Sequence, residues 1–404
     1  MIDKSNFFVI FLLVIASSSQ LMKQGWLASG FNPEVYAGWA TAVLASQLFF
    51  NFGGLGIHNF TARHAALYQS KGKILLVNNL VAKQLFVYTY LLPVSIPLVY
   101  YLVAKPEAIL FFTMVVYSIV NVFLNSVTSP IYVKSSLKFA NIQAKRGVGS
   151  AAVAIATCYV TDSLILTLIN ESIFIFVLGI FTLKRQRLKW SSKYIKPGWK
   201  CIRLAPFLIP VLFSTASVSM SRLLAIDLLS DKLLGIYYFI FLIVSCGAIF
   251  QYGLSVFFGP IITSRLGANS FGSLGGFIFK CWAFLVVLAL LIGMLLLKVV
   301  PILTNYFYAD YALGLVLISP ILCLAMGKIC DIWSIYFLLG GLEKYLYLPH
   351  LVSIISSILI FFFIVETDNF RLIDMRLFIF AEAFAVFFVP LFLFLWGQRE
   401  LSAA

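Results

Sequence analysis

The chain has 404 residues, of which 62% are hydrophobic and only 11% charged, with a mean hydropathy of +1.01 and a formal net charge of +14. A water-facing globule carries about 25% charged side chains. It could not bury this much apolar surface, so a soluble multidomain protein, a collagen-like or disordered chain and a disulfide-knit secreted domain are all excluded. What remains is a polytopic membrane protein.

A helix crosses the hydrocarbon core with about 20 mostly apolar residues. Twelve such stretches are predicted, at 6–24, 35–57, 80–103, 108–133, 147–168, 172–183, 204–228, 233–258, 281–300, 311–338, 347–366 and 377–396. The sixth is short and needs an earlier start. The runs are continuously apolar rather than alternating, which favours helices over a closed β-barrel. Lys4 and the apolar run 7–16 resemble the start of a signal peptide. Apolar character resumes at Leu21 and Trp26 with no soluble domain after it, so this run is read as the first span.

Lysine and arginine set the orientation. With the N-terminus inside, the inside loops hold 20 basic residues, among them Arg63, Arg146 and eight in 184–203; the outside loops hold six, Lys23 included. The outside connections carry acids instead, Glu34, Glu107 and Glu171 among them. Both termini are therefore expected in the cytoplasm. The positive charge is read as a topology signal, and no nucleic-acid partner is called for. The six cysteines show neither a disulfide framework nor a zinc spacing.

The expected organisation is a six-helix lobe at 1–183, a basic cytoplasmic linker at 184–203 and a second six-helix lobe at 204–404. The linker carries no acid, and its cations suit anionic headgroups at about 1 kcal/mol per basic residue. The halves share weak similarity at an offset of about 200 residues. Spans 1 and 7 are both serine-rich and end in a cation, Lys23 and Arg222. Tyr36-Ala37-Gly38-Trp39 opens span 2, and Gly235-Ile236-Tyr237-Tyr238 lies early in span 8. Parallel repeats of this kind place a site between the halves.

Ionisable groups inside spans are functional candidates, because they are costly and must find a partner or water. Arg222 shares its span with Ser214, Thr215, Ser217, Ser219 and Ser221, a wide polar face on which a guanidinium can bind phosphate bidentately. Gln47, Asn51, Gly54 and His58 line one face of span 2, suited to hydrogen-bonding sugar hydroxyls or a neighbouring helix; Gln251 and Ser255 form a thinner version on span 8. Lys328 and Asp331, three apart on span 10, read as an ion pair or a gate. Asp162 on span 5 and Glu382 early in span 12 are candidates to bind H+ or Na+. Lys83 is read as a snorkelling lysine. Pro206, Pro210, Pro320 and Pro390 are helix breakers at positions where bending serves alternating access.

No Walker A sequence, no DxD pair in a cytoplasmic loop, no nucleophile elbow and no long outside loop is present. An ATPase, a glycosyltransferase and a membrane polymerase or ligase of surface glycan are disfavoured, and a transporter rather than an enzyme is expected.

The polar first span, Tyr36-Ala37-Gly38-Trp39, then Phe52-Gly53-Gly54-Leu55-Gly56-Ile57 with Thr61-Ala62-Arg63-His64, resemble the Wzx-type O-antigen flippases. These belong to the superfamily of multidrug, oligosaccharidyl-lipid and polysaccharide exporters. The resemblance implies an all-α fold of two six-helix lobes around a cavity lined by spans 1, 2, 7 and 8, in the bacterial cytoplasmic membrane. It implies a substrate of undecaprenyl-diphosphate-linked oligosaccharide, moved from the cytoplasmic to the periplasmic leaflet, and a link to the polysaccharide polymerase machinery. Lys23 and Arg222 would hold the anionic headgroup, with Arg63 at the cytoplasmic mouth. No cofactor is implied; coupling to H+ or Na+ would fall to Asp162, Asp331 or Glu382. A multidrug–cation antiporter of the same superfamily is the alternative, and it would favour a more apolar and acidic cavity.

Overall fold

In a computed structural model, the structure describes residues 4–54, 57, 61, 68, 74–103, 106–186, 220–244, 271–333, 347–365 and 371–403. Ten α-helices are given by their ends: α1 (Lys4–Gly30), α2 (Pro33–Gly54), α3 (Ile74–Leu102), α4 (Ala108–Lys134), α5 (Ser136–Thr161), α6 (Leu164–Gln186), α7 (Phe271–Phe307), α8 (Ile318–Cys330), α9 (Tyr347–Val365) and α10 (Met375–Ala403). Residues 220–228 and 231–244 are also helical. Short 3-10 segments, Ala309–Leu317 and Leu372–Asp374, lead into α8 and α10. Among the described residues, seven helical stretches are long and apolar enough to cross a membrane, and the all-α polytopic architecture expected from the sequence is present.

The helices form because, short of a closed barrel, nothing else satisfies the backbone in lipid. Their hydroxyl side chains follow the same rule. Ser17, Ser19, Thr113, Ser118, Thr128 and Ser172 each donate to the carbonyl four residues back. Two of the serines that make span 1 polar in sequence are thus answered inside their own helix.

The chain falls into two compact units, Met1–Phe31 with Gly38–Leu212, and Asn32–Ala37 with Phe213–Ala404. In unit 1, α1 packs along α5, and α6 packs on both α4 and α5. The α1–α5 approach is close at Gly147, where an added Cβ would lie 2.5 Å from the Ala16 carbonyl oxygen. Gln20 Nε2 donates across the same contact to Ser150 Oγ at 2.6 Å and Gly147 O at 3.2 Å. In unit 2, α10 packs on α8 and α9, and α7 on α8. Tyr36 is buried there with its ring edge-on to Phe239 and Tyr311.

Two of the helix boundaries that differ from the predicted spans matter most for the site. Ser135 breaks the chain in extended backbone and accepts from the Lys138 N–H, so α5 starts at Ser136 rather than near 147. Asp162 ends α5 in the left-handed region (φ 49°), a conformation that aspartate tolerates better than most residues. Its amide donates to Cys158 O, and α6 begins at once, at Leu164. The consequence is that Arg146 lies within a helix, not in an inside loop, and Glu171 lies within a helix, not in an outside connection. Span 10 likewise divides: a 3-10 segment switches to α-helix just before Pro320, where a residue without an N–H costs least.

Candidate functional site

Each unit buries a polar centre. In unit 1 it lies where α1, α4 and α6 approach. Lys23 is 1% exposed. Its Nζ donates to Glu171 Oε1 at 2.7 Å, and the Tyr117 hydroxyl donates to the same oxygen at 3.3 Å. The ammonium also lies 5.3 Å from the centre of the Trp39 ring, and that indole donates to Gln24 Oε1 at 2.8 Å. A carboxylate and an aromatic face together hold the cation. Glu171 Oε2 has no hydrogen-bond partner.

The centre continues along α4 to Asn121 and Asn125, one and two turns from Tyr117. Arg146 of α5 donates through one terminal nitrogen to Asn125 Oδ1 at 3.0 Å and through the other to Asn121 Oδ1 at 2.6 Å. Asn121 Nδ2 donates in turn to Tyr117 O at 2.8 Å.

In unit 2, Glu382 of α10 is 1% exposed. Its Oε2 accepts from Ser221 Oγ at 2.9 Å, and Oε1 has no hydrogen-bond partner. Arg222, next to Ser221, is half-buried with its guanidinium carbon 5.4 Å from the Phe241 ring centre. Lys328 is buried, with Glu382 as its foremost opposite charge, Asp331 second and Arg222 as the nearby like charge. Tyr237 lies in the field of Glu382 and Arg222.

The two centres are built from matching sequence positions. Lys23 and Arg222 stand at the same offset as Trp39 and Tyr238. Tyr117 and Lys328 stand at the same offset as Glu171 and Glu382. Each half therefore carries a cation on its first helix and a buried glutamate on its last. They differ at the position between: a tyrosine that donates to the carboxylate in unit 1, and a lysine in unit 2.

Of the residues singled out in the sequence, the structure brings Lys328, Asp331, Glu382 and Arg222 into unit 2's interior and Lys23 into unit 1's. Lys23 is buried in α1 and already paired, where the basic-residue count had it in an outside loop. Glu382 is enclosed rather than at the outer interface. Asp162 is exposed in the α5–α6 turn. On α2, Gln47 is exposed and Asn51 half-buried. Lys83 is exposed. Arg63, His58, Gln251, Ser255, Ser214, Thr215, Ser217, Ser219, Pro206 and Pro210 lie outside the described residues, as does most of the 184–203 linker. Among the described residues, no group of three or more His, Cys, Asp or Glu has a metal-binding arrangement.

Sequence reasoning missed Glu171, Tyr117, Arg146, Asn121 and Asn125. The signal for Glu171 was the sixth span itself, too short to cross unless it began earlier. Extending it to Leu164 places the glutamate inside a helix long and apolar enough to cross a membrane. The signal for Arg146 was weaker, since it follows Lys145 at what reads as a basic loop.

No family model and no curated relative matches the chain. Solved structures do. An inward-facing multidrug resistance MATE family transporter of the MOP superfamily matches with a TM-score of 0.68 at 13% identity, covering 98% of each chain. The outward-facing conformation of such a transporter matches at 0.64 and 14%, covering 99% of this chain and 98% of the other. A MOP superfamily transporter from Pyrococcus furiosus, described as having a binding pocket of reverse polarity that suggests a different function, matches at 0.65 and 14%, covering 99% and 96%. Over essentially its whole length, the chain has the fold of the MOP-superfamily membrane transporters.

Proposed function

We propose that the protein is a flippase that moves a polyprenyl-diphosphate-linked oligosaccharide, an O-antigen or related surface-polysaccharide unit, from the cytoplasmic to the periplasmic leaflet of a bacterial cytoplasmic membrane. Both termini lie in the cytoplasm, the 184–203 linker rests on anionic lipid, and the product is handed to polysaccharide polymerisation. The observation that carries this reading is Arg222, a guanidinium half-buried inside a helix bundle. A diphosphate headgroup cannot cross hydrocarbon unaided, because desolvating its charge costs tens of kcal/mol in the Born limit. A polar cleft with a fixed cation removes that barrier while the lipid tail stays in the bilayer. Alternating access, by rocking of two helical lobes, then moves only the head.

A multidrug–cation antiporter is the second reading. The enclosed carboxylate of Glu382, with one oxygen lacking a hydrogen bond, is the observation that favours it. Deleting the gene separates the two. Lipid-linked units trapped on the cytoplasmic side, with surface glycan lost, support the flippase. Normal surface glycan with new drug sensitivity supports the antiporter.

A further inference from the structure

The two polar centres differ in charge. In unit 2, Arg222 and Lys328 stand with Glu382 and Asp331, so cations and carboxylates balance. In unit 1, among the described residues, Lys23 and Arg146 stand with Glu171 as the carboxylate of the centre, and Lys23 already holds Glu171 at 2.7 Å. The fully charged Arg146 is left with two neutral amide oxygens as its acceptors among the described residues.

Position makes that imbalance costly. Asn121 and Asn125 lie within Ala108–Thr128, a stretch long and apolar enough to cross a membrane, so the Arg146 guanidinium they hold lies against a spanning-length apolar segment. A charge there draws a counter-charge or water. The asparagines orient the guanidinium without neutralising it. Asn121 is itself tied to the Tyr117 carbonyl, which fixes the plane of the fork before any ligand arrives. Arginine has five N–H donors in that plane. Those left over from the asparagines present the bidentate geometry that phosphate accepts. The side chain is half-buried, hence open on one side.

We infer that Arg146, oriented by Asn121 and Asn125, binds the phosphate oxyanion of a lipid headgroup. Naming that headgroup as the polyprenyl diphosphate of the substrate rests on the proposed flippase function; the oxyanion site itself does not.

The test uses the full-length protein in nanodiscs of zwitterionic lipid, with undecaprenyl diphosphate and phosphatidylglycerol as probes and native mass spectrometry as the readout. Wild type is expected to retain undecaprenyl diphosphate in preference to phosphatidylglycerol. Arg146→Ala should weaken that binding about tenfold or more, and Arg146→Lys should restore part of it, keeping charge but losing the fork. Equal retention of both lipids, lost equally in Arg146→Ala, supports the oxyanion site and removes the substrate as its ligand. Unchanged binding in Arg146→Ala overturns the site and leaves Arg146 as a helix contact. Should that variant not fold, a photoactivatable diphosphate lipid is applied to the wild type. Adducts on peptides bearing Asn121, Asn125 or Arg146 are expected, and adducts confined to other helices overturn the inference.

Discussion

Lys23 on α1 and Glu171 on α6 close an ion pair of 2.7 Å across 148 positions of sequence, with both side chains 2% exposed. Such a pair adds little over a well-packed apolar pair, yet breaking it strands a buried charge at a cost of about 3–5 kcal/mol. Glu171→Gln should therefore lower the thermal stability of the purified protein sharply, and Lys23→Met likewise. The double variant Lys23→Met with Glu171→Met should recover most of the loss. A double variant no more stable than the singles would show that the pair is not what joins α1 to α6.

Glu382 occupies the matching position of unit 2 but is held differently, by a hydroxyl rather than by a contacting ammonium. Glutamine keeps the shape and can still accept from Ser221 Oγ. Glu382→Gln also removes an opposite charge facing the buried Lys328, so it should cost stability, but less than Glu171→Gln because Asp331 still faces that lysine, while glycan export falls if a charged carboxylate is needed there. The comparison with Glu171→Gln is the informative one. Equal loss of stability in the two variants would make both glutamates structural.

Close packing of α1 on α5 depends on the missing side chain at Gly147. A Cβ there meets backbone, the Ala16 carbonyl at 2.5 Å, which cannot swing aside. Gly147→Ala should destabilise by about 1–3 kcal/mol, the usual cost of forcing extra volume into a packed contact. At Gly276 on α7 nothing lies within 4 Å of an added Cβ. Gly276→Ala should be neutral or stabilising by about 0.5–1 kcal/mol. Thermal unfolding of the two variants in one detergent checks both signs.

The contrast between spans and boundaries explains what the sequence could reveal. Apolar runs of spanning length define helices whatever their neighbours, so the all-α architecture was legible from composition alone. The matched offsets of Lys23 with Arg222, and of Trp39 with Tyr238, were legible too, because both halves keep the order of their first two helices. The α5–α6 turn was not. Asp162 reads as one more polar residue in a long apolar region, and only its left-handed backbone ends the helix there. That error displaced Glu171 outward and left Lys23 without a visible partner. Arg146 was hidden for a different reason: its partners, Asn121 and Asn125, lie on another helix, and residues on separate helices share no periodicity.

Arg222 carries the proposed function, and its variants separate charge from shape. Its guanidinium lies 5.4 Å from the Phe241 ring centre, a contact worth about 0.5–2 kcal/mol between exposed and desolvated limits. Arg222→Ala removes both the cation and that contact, so a modest loss of stability is expected alongside a large loss of export. Arg222→Lys keeps the charge on a compact, strongly hydrated ammonium that cannot bind phosphate bidentately. It should retain insertion and protein level, with export reduced but above that of the alanine variant. Export is read as surface polysaccharide normalised to protein in the membrane. Equal export from Arg222→Ala and wild type at equal protein level would remove this residue from the translocation path, and the cationic-cleft argument with it.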